Sequence, residues 1–347
     1  MFRQALPLTT AILTALGSLV AAAVEPVDAV GEKQVAVDLA DGVKLKLVLV
    51  PSAQFDLGSA ESAEATAAYF NKTYGYDAYG FDLAAGMFRD EHPRHKVRIT
   101  KPFYLGISHV TRGQFREFVK ETNYVSDAER EDKRGAKGWD QDRKDLVWSA
   151  KYSWRNTGFE QTDEHPVVNV SWGDSVAFCS WLSRKVGGTY RLPTEAEWEF
   201  ACRAGTTTRY SSGNDPESLA KVGNVADATI RAKFPDWPVP TIKASDGYLF
   251  TSPAGSFKPN AFGLYDMHGN AWQWCADAYD SQYYAESGAD DPTGPASDAT
   301  GPASEDAHVV RGGSWLDGPI AARSAARSYF TPSYRSCIVG FRVVRDK

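Results

Sequence analysis

The chain has 347 residues, 43% of them hydrophobic and 12% aromatic, enough to bury the core of one large domain or of two modest ones. A net charge of −6 with no basic run argues against a nucleic-acid partner.

Residues 1–23 read as a secretory signal peptide. A basic start at Arg3 leads into an apolar run from Ala5 to Val20, and Ala21, Ala22 and Ala23 supply the small residues that a signal peptidase needs. The run is short for a span and no cysteine follows it, so a periplasmic or secreted protein is expected, with no stable membrane anchor after cleavage. A polar lead-in occupies 24–36. Residues Val43 to Val50 alternate and then turn apolar, as a strand does. Residues 59–91 mix Ala-rich and Tyr/Gly/Asp-rich pieces without a clear period and read as an insertion with one short helix. Strands are expected at 95–100 and 103–107.

Thr111 and Gln114 are spaced as a capping box, opening a helix with Phe115, Phe118 and Val119 on one face. Residues 123–165 are polar and irregular, but Trp139, Trp148 and Trp154 argue for order. A short strand or extended entry at 166–171 precedes a helix from Asp174, with Val176, Phe178, Trp181 and Leu182 inward and Gly187-Gly188 as its stop. Thr194 and Glu197 form another capping box for a helix ending near Cys202. The piece Thr293-Gly-Pro-Ala-Ser297 recurs at 300–304, so 281–306 reads as a flexible surface loop. The chain closes with strand-like residues around Val309 and from Gly340 to Val344. A few helices beside many short strands and long loops indicate an α+β fold, with no βαβ alternation and no solenoid repeat.

The four cysteines, 179, 202, 275 and 337, show no metal spacing. Cys179 and Cys202 lie on apolar helix faces and read as free buried thiols, with one disulfide left open. Histidines at 92, 95, 109, 165, 268 and 308 are scattered. His92 and His95 could be a ligand pair or a solvated turn, and Ser314 lacks a nucleophile-elbow motif. The most unusual stretch is Gly263-Leu-Tyr-Asp-Met-His-Gly-Asn-Ala-Trp-Gln-Trp274. Small residues, an acid and an amide in an irregular loop suit an oxygen-ligated ion such as calcium, and Asn224-Val225 with Asp246-Gly-Tyr248 offer a second set. On spacing alone, ordinary turn chemistry accounts for both.

Together with Val170-Ser-Trp-Gly-Asp-Ser-Val-Ala-Phe-Cys179, Tyr190-Arg-Leu-Pro-Thr-Glu-Ala-Glu-Trp-Glu199, Arg311-Gly-Gly-Ser-Trp315 and Gly340-Phe-Arg342, that stretch resembles the formylglycine-generating enzymes, or sulfatase-modifying factors. The resemblance implies one irregular α+β domain over 37–347 related to C-type lectins. It implies two calcium sites: Asn224 and Asp246 with the backbone oxygens of Val225 and Tyr248, and Asp266, Gly269, Ala271 and Gln273. Gln273 stands where family members typically carry glutamate, so the second site is expected to be weaker.

Enzymes of this family hold copper(I) between two cysteines after the Gly-Gly-Ser turn. Here Asp317 stands at the first of those positions and no thiol follows before Cys337, so copper is not expected. The remaining pocket candidates are Trp272, Ser314, Trp315, Asp317 and Arg323. The resemblance thus implies an exported protein that binds or modifies a peptide or peptide-derived ligand without copper–thiolate oxidation. Relatives in the maturation of peptide siderophores such as pyoverdine show such a use of the fold. The alternatives are a protein oxidase acting on a substrate cysteine in sulfatase maturation, and a non-catalytic lectin-fold binding module.

Overall fold

A computed structural model describes residues 33–75, 83–130, 132, 134–295 and 307–347, which belong to one compact unit running from Glu32 to Lys347. The signal peptide, most of the lead-in and residues 296–306 of the surface loop lie outside the described residues.

In chain order the elements are β1 (Gln34–Ala40), β2 (Val43–Val50), β3 (Ala53–Leu57), α1 (Ala63–Tyr74), a 3-10 turn (Ala85–Glu91), β4 (His95–Ile99) and β5 (Phe103–Gly106). They continue with α2 (Arg112–Thr122), β6 (Ala136–Asp140), β7 (Asp145–Ser149), α3 (Trp172–Val186), β8 (Tyr190–Arg191), α4 (Glu195–Arg203), a second 3-10 turn (Pro216–Lys221) and α5 (Ala228–Lys233). The last are β9 (Trp272–Ala278), α6 (Tyr283–Glu286), β10 (His308–Arg311), β11 (Arg327–Phe330), β12 (Val339–Phe341) and β13 (Val344–Asp346).

Two sheets organise the body. One has the order β1-β2-β5-β13-β8 and the other β11-β10-β9-β12, while β3-β4 and β6-β7 are separate hairpin-like pairs. β12 runs parallel to β9, pairing Val339 with Trp272, and the other pairings are antiparallel. Helices α2 and α3 pack against each other through an aromatic cluster in which Phe115, Phe118, Phe178 and Trp181 lie within 6.0 Å of one another in successive pairs. Aromatic burial of this kind supplies area and edge-to-face contacts together.

Helices α2, α3 and α4 begin with capping boxes, at Thr111/Gln114, Ser171/Asp174 and Thr194/Glu197. Each satisfies amides that the first helical turn leaves free. The third helix therefore starts at Trp172, two positions before the expected Asp174, because Asp174 is the box's reciprocal acceptor and Ser171 its cap. Likewise the lead-in ends earlier than expected, since β1 already begins at Gln34.

The segment 59–91, expected to carry one short helix, holds a helix of 12 residues and a 3-10 turn. Ser62 caps a three-turn helix, α1, that Gly75 ends in a left-handed conformation, and α1 packs on the 3-10 turn through Ala63, Ala67, Phe70, Leu83 and Phe88. In 123–165 the tryptophans do order the chain. Trp139 and Trp154 are buried in the core, although Trp148 is 48% exposed. The part of the surface loop that is described is also anchored, because Asp290 and Asp291 accept from Arg98 on β4 and from the amide of Thr100 just after it.

Helix α4 sits between the sheets, and all nine of its residues are buried, charged ones included. It carries the ionic chain that supports the site described next.

Candidate functional site

The pocket candidates are set by the turn that leaves β10. Gly312 and Gly313 take φ of +100 and +75, and a Cβ at Gly312 would lie 3.1 Å from Trp198 and 3.2 Å from Gln273 and from the Met267 carbonyl. Only glycine turns the chain there without strain or clash. The turn delivers Ser314, whose hydroxyl donates to Asp317 Oδ2, and Asp317 Oδ2 also accepts the Trp272 indole N–H at 2.8 Å. The backbone follows suit, with the Asp317 amide on Ser314 O at 3.1 Å and the Ala226 amide on Asp317 O at 2.9 Å. Trp272 is itself fixed by β9, its amide bonding Ile338 O at 2.8 Å. Three of the five candidates therefore form one hydrogen-bonded unit. Burial pushes the Asp317 carboxyl above the ordinary carboxylate range, against the two side-chain bonds that favour its ionised form.

Asp317 and Trp272 form part of the lining of a groove with a volume of about 480 Å³. Its other walls are Leu83, Met87, Phe88 and Glu91 of the 59–91 segment, Pro238-Val-Pro240, and the loop from Leu316 to Ser328. The 59–91 segment thus forms one side of the groove. Arg323 is a wall residue rather than a free cation, because its guanidinium is clamped by Glu91 at 2.8 and 2.6 Å. Trp315 is not a pocket residue at all. It is fully buried, packs against Trp139, Phe159 and Phe250, and donates to Cys337 O at 3.1 Å. Ser314 is buried beneath Asp317 and reaches the groove only through it.

Beneath this wall runs a chain of alternating buried charges that sequence reasoning missed. Arg203 pairs with Glu199, Glu199 with Arg311, Arg311 approaches Glu195 at 3.7 Å, and Glu195 holds Arg327 through bonds of 2.7 and 2.9 Å. Burial alone would raise Glu199, but Arg203 and Arg311 reverse this and leave it below the ordinary carboxylate value. Arg311 also caps the carbonyls of Ser324, Ala325 and Ala326, and so anchors the loop that bears Arg323. The signal was present in the i, i+4, i+8 spacing of Glu195, Glu199 and Arg203.

Two oxygen-rich loops lie behind Asp317. In the first, Asp246 accepts the amides of Val225 at 3.0 Å and Tyr248 at 2.9 Å, which brings all four expected residues together. Asn224 donates its amide to Phe250 O at 2.7 Å, while its buried Oδ1 has no partner among the described residues. Burial, with Asp227 alongside, pushes the Asp246 carboxyl up to about 7. A buried, orphaned amide oxygen one residue before the amide that the half-buried Asp246 carboxylate accepts fits a hard cation such as calcium, which Asn224, Val225, Asp246 and Tyr248 would hold.

The second set does not fit. Gln273 Oε1 accepts from Trp198 Nε1 at 2.8 Å and from Arg342 Nε at 2.9 Å, and its Nε2 donates to Asp266 O at 3.0 Å. The Ala271 carbonyl is bonded to the His109 ring at 2.8 Å, and that of Gly269 to the Ala271 amide at 2.9 Å. Asp266, raised to about 6 by burial, keeps one buried oxygen unpartnered, but the Arg342 guanidinium is the cation beside it. Among the described residues, no cluster of three or more His, Cys, Asp or Glu side chains is placed to hold a metal ion. His95 instead packs edge-on against Tyr284.

A model of the sulfatase-modifying factor enzyme 1-like domain matches residues 45–347. The chain belongs to the sulfatase-modifying factor family. It is 35% identical over 325 residues to the formylglycine-generating enzyme of Streptomyces coelicolor, covering 85% of this chain and 95% of that one. It is 34% identical over 282 residues to the inactive C-alpha-formylglycine-generating enzyme 2 of Mus musculus, covering 73% and 77%. The solved structure of PvdO from Pseudomonas aeruginosa matches with a TM-score of 0.64 and 28% identity, over 91% of this chain and all of that one. The fold is accordingly the C-type-lectin-like α+β domain of the sulfatase-modifying factor family. Within that family frame, the groove's donor set does not fit copper(I), because its lining includes no thiol. The four cysteines are free and buried, and burial pushes the Cys337 thiol up to about 12. No helix of the described residues is long and apolar enough to cross a membrane.

Proposed function

We propose that this protein is an exported sulfatase-modifying factor family member that binds or modifies a peptide or peptide-derived ligand in the groove over Trp272 and Asp317, without a copper–thiolate centre. The observation that carries the reading is the Ser314–Asp317–Trp272 unit. Where thiol chemistry would need a soft sulfur ligand, the groove presents a carboxylate fixed by two donors. The largely apolar lining suits a ligand with apolar side chains, and the groove's volume lies in the range of small-ligand clefts. Similarity to an inactive C-alpha-formylglycine-generating enzyme 2 supports a use of the fold other than cysteine oxidation. Export rests on the apolar run from Ala5 to Val20 and the alanines that follow it. Calcium binding is proposed at the first loop only, resting on the unpartnered Asn224 oxygen one residue before the amide that Asp246 accepts.

The test is to incubate the purified protein with copper(I), oxygen and a cysteine-containing sulfatase-type peptide, and to follow the peptide by mass spectrometry. No formylglycine product is expected, and its appearance would overturn the reading in favour of a protein oxidase.

A further inference from the structure

The groove contains four ionisable side chains, Glu91, Asp317, Arg323 and Arg327. Arg323 is neutralised by Glu91 through two bonds, and Arg327 by Glu195 through two bonds. Asp317 has no such partner. Its Oδ2 takes the hydrogen bonds of Ser314 and Trp272, while its Oδ1 accepts none among the described residues and faces the groove that Asp317 lines. A purely structural role in the turn uses only the first oxygen. The second is left open to a groove lined also by Leu83, Phe88, Val239, Leu316 and Ile320, in a side chain that is half-buried. A carboxylate in such surroundings gains most from a donor that brings a positive charge, since charge-assisted bonds are about twice as strong as neutral ones.

Resting on the reading of a peptide-binding groove given above, we propose that its occupant presents an ammonium or guanidinium group to Asp317 Oδ1, with apolar side chains on either side of that cation. Recognition then has two parts. The apolar flanks bury against the 59–91 segment and the Leu316–Ile320 wall, and the cation completes the one carboxylate that the fold leaves open. Neighbouring charges enforce the selection, because an anionic group at this point would meet Asp317 and find both arginines already taken.

The experiment uses acetyl-Phe-Arg-Phe-amide and the neutral isostere acetyl-Phe-citrulline-Phe-amide as probes, titrated calorimetrically into the purified full-length protein. The arginine peptide should bind about tenfold tighter or more. In Asp317→Asn the carbonyl can still accept from Ser314 and Trp272 while an amide N–H₂ faces the groove, so the preference should vanish with the fold retained. Should that variant fail to fold, the same contrast in the wild-type protein between acetyl-Phe-Lys-Phe-amide and its norleucine analogue still decides the matter. Equal binding of charged and neutral peptides overturns the inference and leaves the groove reading intact. A preference that survives Asp317→Asn also overturns it. Failure of all four peptides to bind overturns both.

Discussion

Gln273 lies where three parts of the chain converge, accepting from Trp198 on α4 and Arg342 beyond β12 while donating to the Asp266 carbonyl. The last bond requires an amide. A glutamate there would set a carboxylate against a carbonyl oxygen, an arrangement that needs a cation between them. Gln273→Glu is therefore expected to cost about 1–3 kcal/mol in urea unfolding with chelator present, and less with millimolar calcium; a cost unaffected by calcium would show that the amide is not replacing an ion. Trp315 tests a different point. Its indole fills the core among Trp139, Phe159 and Phe250, so Trp315→Ala should lose about 3–5 kcal/mol. That result would fit core packing, whereas a stability unchanged within error would return it to the groove. The sequence did not separate Trp315 from Trp272, because both sit in glycine-rich loops. What divides them is that Trp272 is the first residue of a strand and lines the groove, while Trp315 follows the double-glycine turn inward.

At the scale of elements, the 59–91 segment changes most between sequence and structure. Helix α1 is alanine-rich and only weakly amphipathic, so its period was hidden, and the cap Ser62 and the stop Gly75 went unread. Its attachment is long-range and could not be read from the sequence. Glu91 clamps Arg323, and Glu61 clamps Arg209 at 2.8 and 2.9 Å. Removing one partner leaves a buried charge alone, so Glu91→Gln should destabilise by about 3–5 kcal/mol. The expected sign of this is faster proteolytic cleavage between Ala63 and Glu91; an unchanged cleavage rate would mean that Leu83 and Phe88 alone hold the segment. The β6–β7 hairpin was missed for a local reason, because its Gln141-Asp-Arg-Lys144 turn has no glycine and places Lys144 itself at φ +53. Strand β9 was missed because Trp272, Gln273, Trp274 and Cys275 are all buried, which removes the alternation that marks a half-buried strand. Helices α2 and α4 were legible because a capping box states its geometry within four residues, whereas α3 was read from its apolar face and its Gly187-Gly188 stop.

For the whole molecule, acidity and calcium should be linked through Asp246. Its folded carboxyl titrates near 7, above its unfolded value, so in metal-free protein its contribution favours the fold at low pH and is lost as pH rises through about 7. Calcium needs the ionised form. The rise in melting temperature on adding calcium should therefore be larger at about pH 8 than at about pH 5.5, and a shift of equal size at both would detach Asp246 from the ion. The buried histidines His109 and His268 are held neutral by burial, down to about 3 and about 4. Their contribution is complete above about pH 6.5 and falls away only below it, so it does not blur this comparison at the alkaline end. The larger sheet has a further consequence. β13 lies between β5 and β8, and it is the last of the thirteen described strands in chain order. While residues 344–346 are still being synthesised, β5 and β8 face each other across an empty place, and no earlier segment fills it. The five-stranded sheet can close only once β13 is available, so joining β8 to β5 through β13 is a long-range and late step of folding. Strand order thereby ties completion of the larger sheet to residues 344–346.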